Sequence, residues 1–400
     1  MEIEKPYLFL EVNDEEFVFL IVKYDEDFNF KVIHSVSAKS EGILKGRILD
    51  IEASSNIIKE NLTLIEKKID FIFENVIIIN EQENFSCVNI SGFKKLGGSQ
   101  VIDENISYIL NNIKKLVLDN EPNKSLVHLF NSSFILDNVS LKNPPIGLHG
   151  EFYNQHLTFL LLPKNDLKNL KLVLNNCHLN IERIIFKPFI LGLKKIIEKE
   201  AQKTFAMINI GKNKTNVSIF DNFSFIYSET FHFGTDLLMR DVSKVCSLDL
   251  NSVEKIFREL NFNSINVINN EQHLDEKYFS STVFRKISLQ HINEIVVARI
   301  EEIADLIYKN NINLKNLKNE IKHIYFSFED LNVLKNLRKN FEKIFEDKKN
   351  IVFEEKTQDE HLLPCLTSAE LIGKGWEREA IPTIQTKKSI ISRIFSAFFK

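Results

Sequence analysis

The chain has 400 residues, which at roughly 150 residues per domain is enough for two or three folding units with a sizeable core. With 44% hydrophobic and 26% charged residues, and only 12 Gly and 8 Pro, its composition is that of a folded protein and excludes long disordered or collagen-like regions. The 51 Lys and Arg against 55 Asp and Glu leave a formal charge of −4, which argues against a general nucleic-acid or polyanion binder.

In chain order, apolar periodicity in the first half predicts strands alternating with helices. Strand-like runs at 7–12, 17–22 and 28–33 predict a meander, followed by a helix at 56–71 and a strand at 76–79. Residues 84–163 read as a separate block, with a strand at 85–90, a helix through 106–116 and β-rich sequence at 126–162. A helix at 166–174, a strand at 181–186 and a helix at 190–200 follow.

The second half repeats the opening meander. Its strands are predicted at 205–211, 216–220 and 225–231, about 200 residues after the first set. Helices dominate from residue 251, including one at 287–307, with strands near 324–327 and 350–353. This internal repetition predicts two related α/β domains that face each other across a cleft.

The cysteines, the first residues and the lengths of the apolar stretches indicate the cellular compartment. The cysteines lie far apart, at positions 87, 177, 246 and 365, so we predict no metal site and no disulfide framework, and we expect reduced thiols in the core. The first residues lack the basic and apolar regions of a signal peptide, and no stretch approaches the ~20 apolar residues that cross a bilayer. These features predict a cytoplasmic chain.

Several segments, in order along the chain, resemble the FtsA family of bacterial cell-division proteins, within the actin-like ATPase superfamily. They are 40–52 (SEGILKGRILDIE), 146–150 with His156, 180–183 with Lys187-Pro188 where the family has a Glu-Pro turn, 233–241 at the family's Gly-Gly-Asp turn, and the helix that carries Glu254. The resemblance implies an α/β, actin-like (RNase H-like) fold of two related domains around a cleft, with an inserted subdomain and a C-terminal amphipathic helix.

The same resemblance implies a division of the chain into eight segments. The first actin-like subdomain takes 1–83 and 164–200, with the inserted interaction module at 84–163 between them. The second actin-like subdomain takes 201–240 and 320–376, with a helical subdomain at 241–319. A linker at 377–386 and a membrane-binding helix at 387–400 end the chain.

Actin-like proteins hold ATP with two glycine-containing phosphate hairpins and a Gly-Gly loop near the adenine, because glycine lets backbone N–H groups approach the ligand. By resemblance the nucleotide positions are Glu11, Asn13, Asp14, Asn209, Gly211, Lys212, Thr215, Asn216, Gly234, Glu254 and Ser327.

These positions depart from the family pattern. Asn13 replaces a glycine, amides at Asn209 and Asn216 replace aspartates that would anchor the Mg²⁺ water shell, and Phe328 follows Ser327 where glycine is expected. The carboxylates of Asp14, Glu15 and Glu16 would lie beside the phosphates, each at a cost of roughly 4 kcal/mol for like charges about 4 Å apart at an effective dielectric of about 20. We therefore expect binding of ATP with Mg²⁺ to be weak or lost, predict no hydrolysis, and assign no catalytic or metal-binding residue.

The last fourteen residues predict a helix that lies in a membrane interface. Its apolar face carries Ile390, Ile391, Ile394, Phe395, Phe398 and Phe399, its cations are Lys387, Lys388, Arg393 and Lys400, and it contains no acidic residue. A helix of this length spans about 21 Å, too short to cross a bilayer, and each cation near an anionic leaflet adds about 1 kcal/mol. The segment predicts a peripheral membrane protein, and the resemblance implies that it lies at the cytoplasmic side of the inner membrane.

The resemblance implies a cell-division scaffold that tethers filaments of the tubulin-like protein FtsZ to the inner membrane at the division site. Implied partners are FtsZ, further copies in an actin-like filament, later division proteins and an anionic lipid surface, with no nucleic acid. Arg285 and Arg299 are candidate FtsZ contacts, because an acidic-hydrophobic peptide needs a basic groove. The alternatives are an active ATPase or phosphotransferase of this superfold, and a PilM-like scaffold of a pilus machine, which would lack the tail helix.

Overall fold

A computed structural model of the protein describes residues 5–263, 272–279, 283–309, 311–312, 314, 321, 323–328, 331–345, 350–353 and 360–376. The described residues form two compact units. The first unit comprises residues 5–203, 220–227 and 360–376, and the second comprises 204–219 and the described residues from 228 to 353.

Strands and helices alternate along the described chain. The strands are β1 Pro6–Val12, β2 Glu16–Tyr24, β3 Phe30–Lys39, β4 Ile43–Leu44, β5 Arg47–Ile48, β6 Asn75–Asn80, β7 Ser86–Lys95, β8 Lys124–Leu136, β9 Val139–Leu141, β10 Phe152–Pro163, β11 Asn180–Phe186, β12 Phe205–Ile210, β13 Thr215–Asp221, β14 Ser224–Phe231, β15 His323–Phe328 and β16 Asn350–Phe353. The α-helices are α1 Ile51–Ile69, α2 Asp103–Asn120, α3 Lys164–Asn176, α4 Lys187–Ile197, α5 Thr235–Cys246, α6 Leu250–Glu259, α7 Leu289–Ala304, α8 Leu331–Phe345 and α9 Leu363–Lys374.

Two five-stranded sheets have the same strand order. The first runs β3-β2-β1-β6-β11 and the second β14-β13-β12-β15-β16, so in each the three strands of the meander precede two later strands. In the first sheet β1 pairs antiparallel with β2 and parallel with β6, and in the second β12 pairs parallel with β15. The predicted internal duplication is therefore confirmed at the level of sheet topology.

Apolar side chains of the first sheet are covered by three helices. The buried positions of β1 and β2 pack with those of α1 and α3 in one continuous cluster. Helix α9 lies against the strands as well, since the Tyr24 hydroxyl donates a hydrogen bond of 2.7 Å to the backbone oxygen of Ala369. Asp50 caps α1, its side chain accepting from the Ala53 N–H at 2.9 Å, which fixes where the helix begins.

A separate sheet, in the order β7-β10-β8-β9, lies within the block predicted as the inserted subdomain. Helix α2 packs on one face of it, with Ile106, Ile109 and Ile113 buried in their own cluster. Gly92 lets the helix approach β7, because a Cβ there would lie 2.4 Å from Cδ1 of Ile113. The domain boundaries drawn from the sequence stay predictions.

Several element boundaries differ from the sequence expectation. Helix α4 begins at Lys187, not at residue 190, because Pro188 stands in its first turn, where proline's missing N–H costs nothing. Helix α1 begins at Ile51, ahead of the predicted 56, since Asp50 provides the cap. Helix α7 covers Leu289–Ala304 and is followed by a π-helical segment at Asp305–Lys309 where one continuous helix was expected.

No helix among the described residues is long and apolar enough to span a bilayer. The predicted linker and membrane-binding helix, residues 377–400, lie outside the described residues.

Candidate nucleotide-binding hairpins

The β1–β2 hairpin, predicted to be the first phosphate loop, is closed by its own side chains. Asn13 Oδ1 accepts hydrogen bonds from the backbone N–H groups of Glu15 at 2.9 Å and Glu16 at 2.8 Å. Asn13 Nδ2 donates to Glu11 Oε1 at 3.1 Å. The amide at the family's glycine position therefore occupies the N–H groups that would otherwise point at an anion.

Asp14 turns away from the hairpin toward the neighbouring β4–β5 turn. Its carboxylate accepts from the backbone N–H groups of Lys45 at 3.0 Å and Gly46 at 2.7 Å. Both turn residues have positive φ, and a Cβ on Gly46 would lie 2.6 Å from the backbone of Gln82. Asp14 thus behaves as an internal anion that binds the turn, as a phosphate oxygen would.

Glu11, the acid retained from the family pattern, is part of a buried ion cluster. The ammonium of Lys187 lies 3.0 Å from Glu11 Oε1 and 2.7 Å from Glu81 Oε2, and all three residues are at least nine-tenths buried. Glu11 Oε2 has no hydrogen-bond partner within the described part of the chain. Burial raises the pKa of Glu11, and the nearby Lys187 ammonium partly opposes that rise.

The space beside this cluster is small. A cavity of about 10 Å³ lies between Val12, Gly46 and the polar side chains of Arg47, Gln82 and Asp166, which is about the volume one water needs. Arg47 Nη2 lies 3.0 Å from Asp166 Oδ1, and the side-chain amide of Gln82 donates to Asp166 Oδ2. The polar side chains that line this cavity are therefore bonded to one another.

The β12–β13 hairpin, predicted to be the second phosphate loop, is closed against the start of α5. Carbonyl oxygens of Gly211 and Lys212 accept from the backbone N–H groups of Thr235 at 3.0 Å and Asp236 at 2.9 Å. The N–H groups at this helix start, which would attract an anion, are therefore bonded within the protein. Gly234 permits the contact, because a Cβ there would lie 2.2 Å from the oxygen of Gly211.

The remaining predicted residues of the second hairpin hold it together. The Thr215 hydroxyl donates to the Phe233 carbonyl at 2.8 Å, and Asn216 Oδ1 accepts from the Thr230 hydroxyl at 2.6 Å. Asn209 pairs with Ser327 across β12 and β15, and both side chains are buried. The structure thus brings together the predicted positions 209, 211, 212, 215, 216, 234 and 327.

Two further residues singled out in the sequence lie in the core and on the surface of the second unit. Phe328, expected in the adenine loop, is the last residue of β15 and packs on Phe341 at 5.0 Å between ring centres, so it is a core residue. Glu254 lies on the surface of α6, where its carboxylate pairs with Arg258 at 2.5 Å.

The second unit contains a wider cavity next to its hairpin. It has a volume of about 300 Å³ and is lined by Asn213, His232, Phe233, Gly234, Asp236, Leu237, Arg240, Arg299, Glu302, Ile303 and Leu306. Arg299, predicted as a partner contact, lies here with its guanidinium bonded to Asp241 and Glu302. The cavity is therefore lined by apolar side chains and by both acidic and basic ones.

Arg285, the other predicted partner contact, lies at the end of α5. Its guanidinium donates to the carbonyl oxygens of Cys246 at 2.9 Å and Ser247 at 2.8 Å. Because the last carbonyls of a helix lack partners within it, Arg285 serves as a C-terminal cap.

The partners of Glu11 were not predicted from the sequence. Lys187-Pro188 was matched to the Glu-Pro turn without a role for Lys187, whose contact with Glu81 depends on the fold because Glu81 follows the end of β6. Lysine in place of the turn's acid was the one available signal, and it does not say which carboxylates the lysine meets. Asp166 and Gln82 gave no comparable signal.

Comparisons with known proteins relate the chain to one group by sequence. No family model matches it. It is 20% identical over 308 residues to the cell division protein FtsA of Neisseria meningitidis serogroup B, covering 77% of this chain and 74% of that protein. FtsA of Buchnera aphidicola is 20% identical over 309 residues, with 76% and 73% covered, and FtsA of Enterococcus hirae is 21% identical over 305 residues.

The chain is a divergent relative of FtsA. Among solved structures it resembles a PilM–PilN type IV pilus biogenesis complex, with a TM-score of 0.57, 12% identity, and coverage of 93% of this chain and 97% of that one. This likeness supports the fold alone. The predicted actin-like α/β fold is confirmed, while the FtsA resemblance found in the motifs agrees with the relatives found across most of the chain.

Several groups that the FtsA resemblance assigns to ATP and Mg²⁺ are bonded within the protein. The first hairpin's N–H groups at 15 and 16 are occupied by Asn13, and Lys187 supplies a cation beside the acid at position 11. In the described part of the chain no cluster of three or more His, Cys, Asp or Glu side chains is arranged to hold a metal ion.

Proposed function

We propose that this chain is a cell-division scaffold that, like FtsA, tethers FtsZ filaments to the cytoplasmic face of the inner membrane at the division site. The observation that carries the proposal is the similarity to FtsA proteins over 77% and 76% of the chain. The basic, acid-free tail at 387–400 adds support, because such a helix suits reversible attachment to an anionic surface.

Assembly is the second part of the proposal. Copies of the chain form an actin-like filament, and the inserted sheet contacts neighbouring copies or later division proteins. Several tails on one filament raise the affinity for the membrane by avidity, so each tail needs only modest binding of its own. FtsZ binds the second unit near Arg299, where the mixed cavity offers apolar walls and guanidinium groups to an acidic-hydrophobic peptide.

ATP hydrolysis has no part in this function. In both units the backbone groups of the hairpin are hydrogen-bonded within the protein, which supports a scaffold that keeps its fold without hydrolysing ATP. An active ATPase or phosphotransferase is the competing proposal, and it requires phosphate release from MgATP above the rate of a blank without protein.

Co-pelleting with FtsZ polymers tests the proposal. We expect the full chain to pellet with polymerised FtsZ, and Arg299→Gln to reduce the bound fraction several-fold. Arg258→Gln is the matched control, because Arg258 also pairs with a carboxylate in the second unit but lies away from the cavity lining. An unfolding curve for each variant checks that the fold is kept. Failure of the unaltered chain to pellet with FtsZ would reject the proposal.

A PilM-like scaffold is a second candidate that has the same fold. It predicts binding to a PilN-type protein and none to FtsZ. Titration of the chain with each partner separates the two candidates.

A further inference from the structure

Lys187 is a buried cation of the first unit that lies near the ends of β1 and β6. Lys187 begins α4, and its side chain is 11% exposed, yet it carries an ammonium. Burying an unpaired charge is strongly unfavourable, so the environment must compensate. Glu11 and Glu81, whose side chains are 2% and 4% exposed, supply that compensation from the ends of β1 and β6.

The two buried carboxylates in turn depend on the Lys187 ammonium to compensate their charge. Without the ammonium, two buried negative charges would converge on one small space and repel each other. Asn13 offers one further hydrogen bond to Glu11 Oε1 at 3.1 Å, which orients the carboxylate but does not neutralise it. The cluster therefore has the composition of a cation site in which the cation is a side chain of the protein.

We propose that the Lys187 ammonium is a built-in cation of the first unit, held between Glu11 and Glu81, and that it makes an added divalent cation unnecessary for this unit to fold. The inference rests on the proposed loss of nucleotide binding and deepens it. Its position is informative, because Lys187 stands where the resemblance puts the glutamate of a Glu-Pro turn. A carboxylate there would create a group of three acids and require an external cation.

The test compares the unfolding temperature of the full chain with that of Lys187→Gln, each with 10 mM MgCl₂, 10 mM MnCl₂ or NaCl of matched ionic strength. We expect no shift from either divalent cation in the unaltered chain. Lys187→Gln should lower the unfolding temperature by about 6 °C or more, because two buried carboxylates lose their counter-charge. Mg²⁺ or Mn²⁺ should then recover part of that loss.

Lys195→Gln is the matched control on the same helix. Lys195 is also buried and bridges two glutamates, with its ammonium 3.4 Å from Glu198 Oε2 and 2.9 Å from Glu200 Oε2. Those carboxylates are 39% and 57% exposed, so water can solvate them after the ammonium is removed. We expect a smaller loss and no recovery with divalent cations.

A triple variant, Glu11→Gln, Glu81→Gln and Lys187→Gln, removes all three charges, keeps the volumes of the two glutamate side chains and shortens only the third side chain. It should be folded and more stable than Lys187→Gln alone. If Lys187→Gln yields no folded protein, the triple variant decides: folding supports the inference and failure to fold overturns it. Stabilisation of the unaltered chain by Mg²⁺, or no recovery of Lys187→Gln with either cation, also overturns it. FtsZ binding is measured in a separate assay, so failure of this inference can be distinguished from failure of the proposed function.

Discussion

In the first unit, the side-chain oxygens of two residues accept backbone N–H groups that could otherwise bind an anion. In an anion-binding loop the backbone N–H groups stay available to the ligand. Here Asn13 and Asp14 together accept four backbone N–H groups, two within the first hairpin and two in the turn at 45–46. The protein thus supplies its own side-chain oxygens as acceptors for these N–H groups, which holds the hairpin and the neighbouring turn in place.

Replacing Asp14 by Ala should lower the free energy of unfolding by about 1–3 kcal/mol. The N–H of the buried Gly46 would lose its acceptor, and an unsatisfied buried donor costs about that amount, whereas water can reach the N–H of the exposed Lys45. Urea unfolding measures the change, with Glu26→Ala in the exposed β2–β3 turn as control. Equal stability of the two variants would contradict the assigned role of Asp14.

Thiol accessibility is a second prediction at this scale. Cys177, Cys246 and Cys365 are buried, whereas Cys87 is half-buried. We expect a thiol reagent at pH 8 to label Cys87 first in the folded chain and all four cysteines in denaturant. Fast labelling of a second thiol in the folded chain would contradict the described core.

The same burial predicts how stability depends on alkaline pH. Burial raises the pKa of Cys177 from 9.0 to about 11. The unfolded thiol therefore ionises at a lower pH than the folded one, and the unfolded state gains stability as pH rises from about 9 to 11. Unfolding midpoints measured across that window should fall, and Cys177→Ala should show a shallower fall.

The acid at position 11 was predictable, but its partner was not. A family motif marks Glu11, whereas the ion pair with Lys187 joins residues 176 positions apart and depends on how β1 and α4 meet. Sequence patterns carry no information on such contacts unless both partners belong to a known motif. The closure of the hairpin by Asn13 was missed for the same reason, since it depends on the orientation of one amide.

At the scale of elements, the close contact between the second hairpin and α5 depends on one glycine. Gly234→Ala should lower the free energy of unfolding by about 1–3 kcal/mol, because the added Cβ would overlap the Gly211 and Lys212 carbonyl oxygens. Lys212→Ala, in the exposed turn of the same hairpin, is the control. Unfolding in urea measures both, and an unaffected Gly234→Ala would show that the hairpin is not held against the helix as described.

The strands were easier to predict than the helix ends. Buried strands such as β1 and β6 contain runs of apolar residues, and runs of this kind also predicted both meanders. Helix ends depend on caps and first-turn chemistry, so Asp50 at α1 and Pro188 at α4 shifted the observed starts by several residues. The break after α7 had no signal in its apolar stripe, which continues to Ile307.

The tail prediction concerns one face of residues 387–400. Phe395→Asp should abolish flotation with anionic vesicles, because it places a charge in the apolar face. Ser392→Asp adds the same charge on the polar face and should reduce flotation only modestly. Equal loss in both variants would indicate that net charge, and not the apolar face, binds the tail to the membrane.

For the whole molecule, the two units share a strand order but close their hairpins in different ways. In the first unit Asn13 accepts the N–H groups of the hairpin, and in the second the hairpin carbonyls accept from the start of α5. Both solutions keep the actin-like sheet intact.

Flotation with anionic vesicles, with and without FtsZ, tests the central claim most directly. The full chain is compared with a chain truncated after Trp376, which lacks residues 377–400. We predict that only the full chain floats and that it carries FtsZ into the vesicle fraction without added ATP. If both chains stay in solution, or if the full chain floats and leaves FtsZ behind, the account of this protein as an FtsA-like tether is wrong.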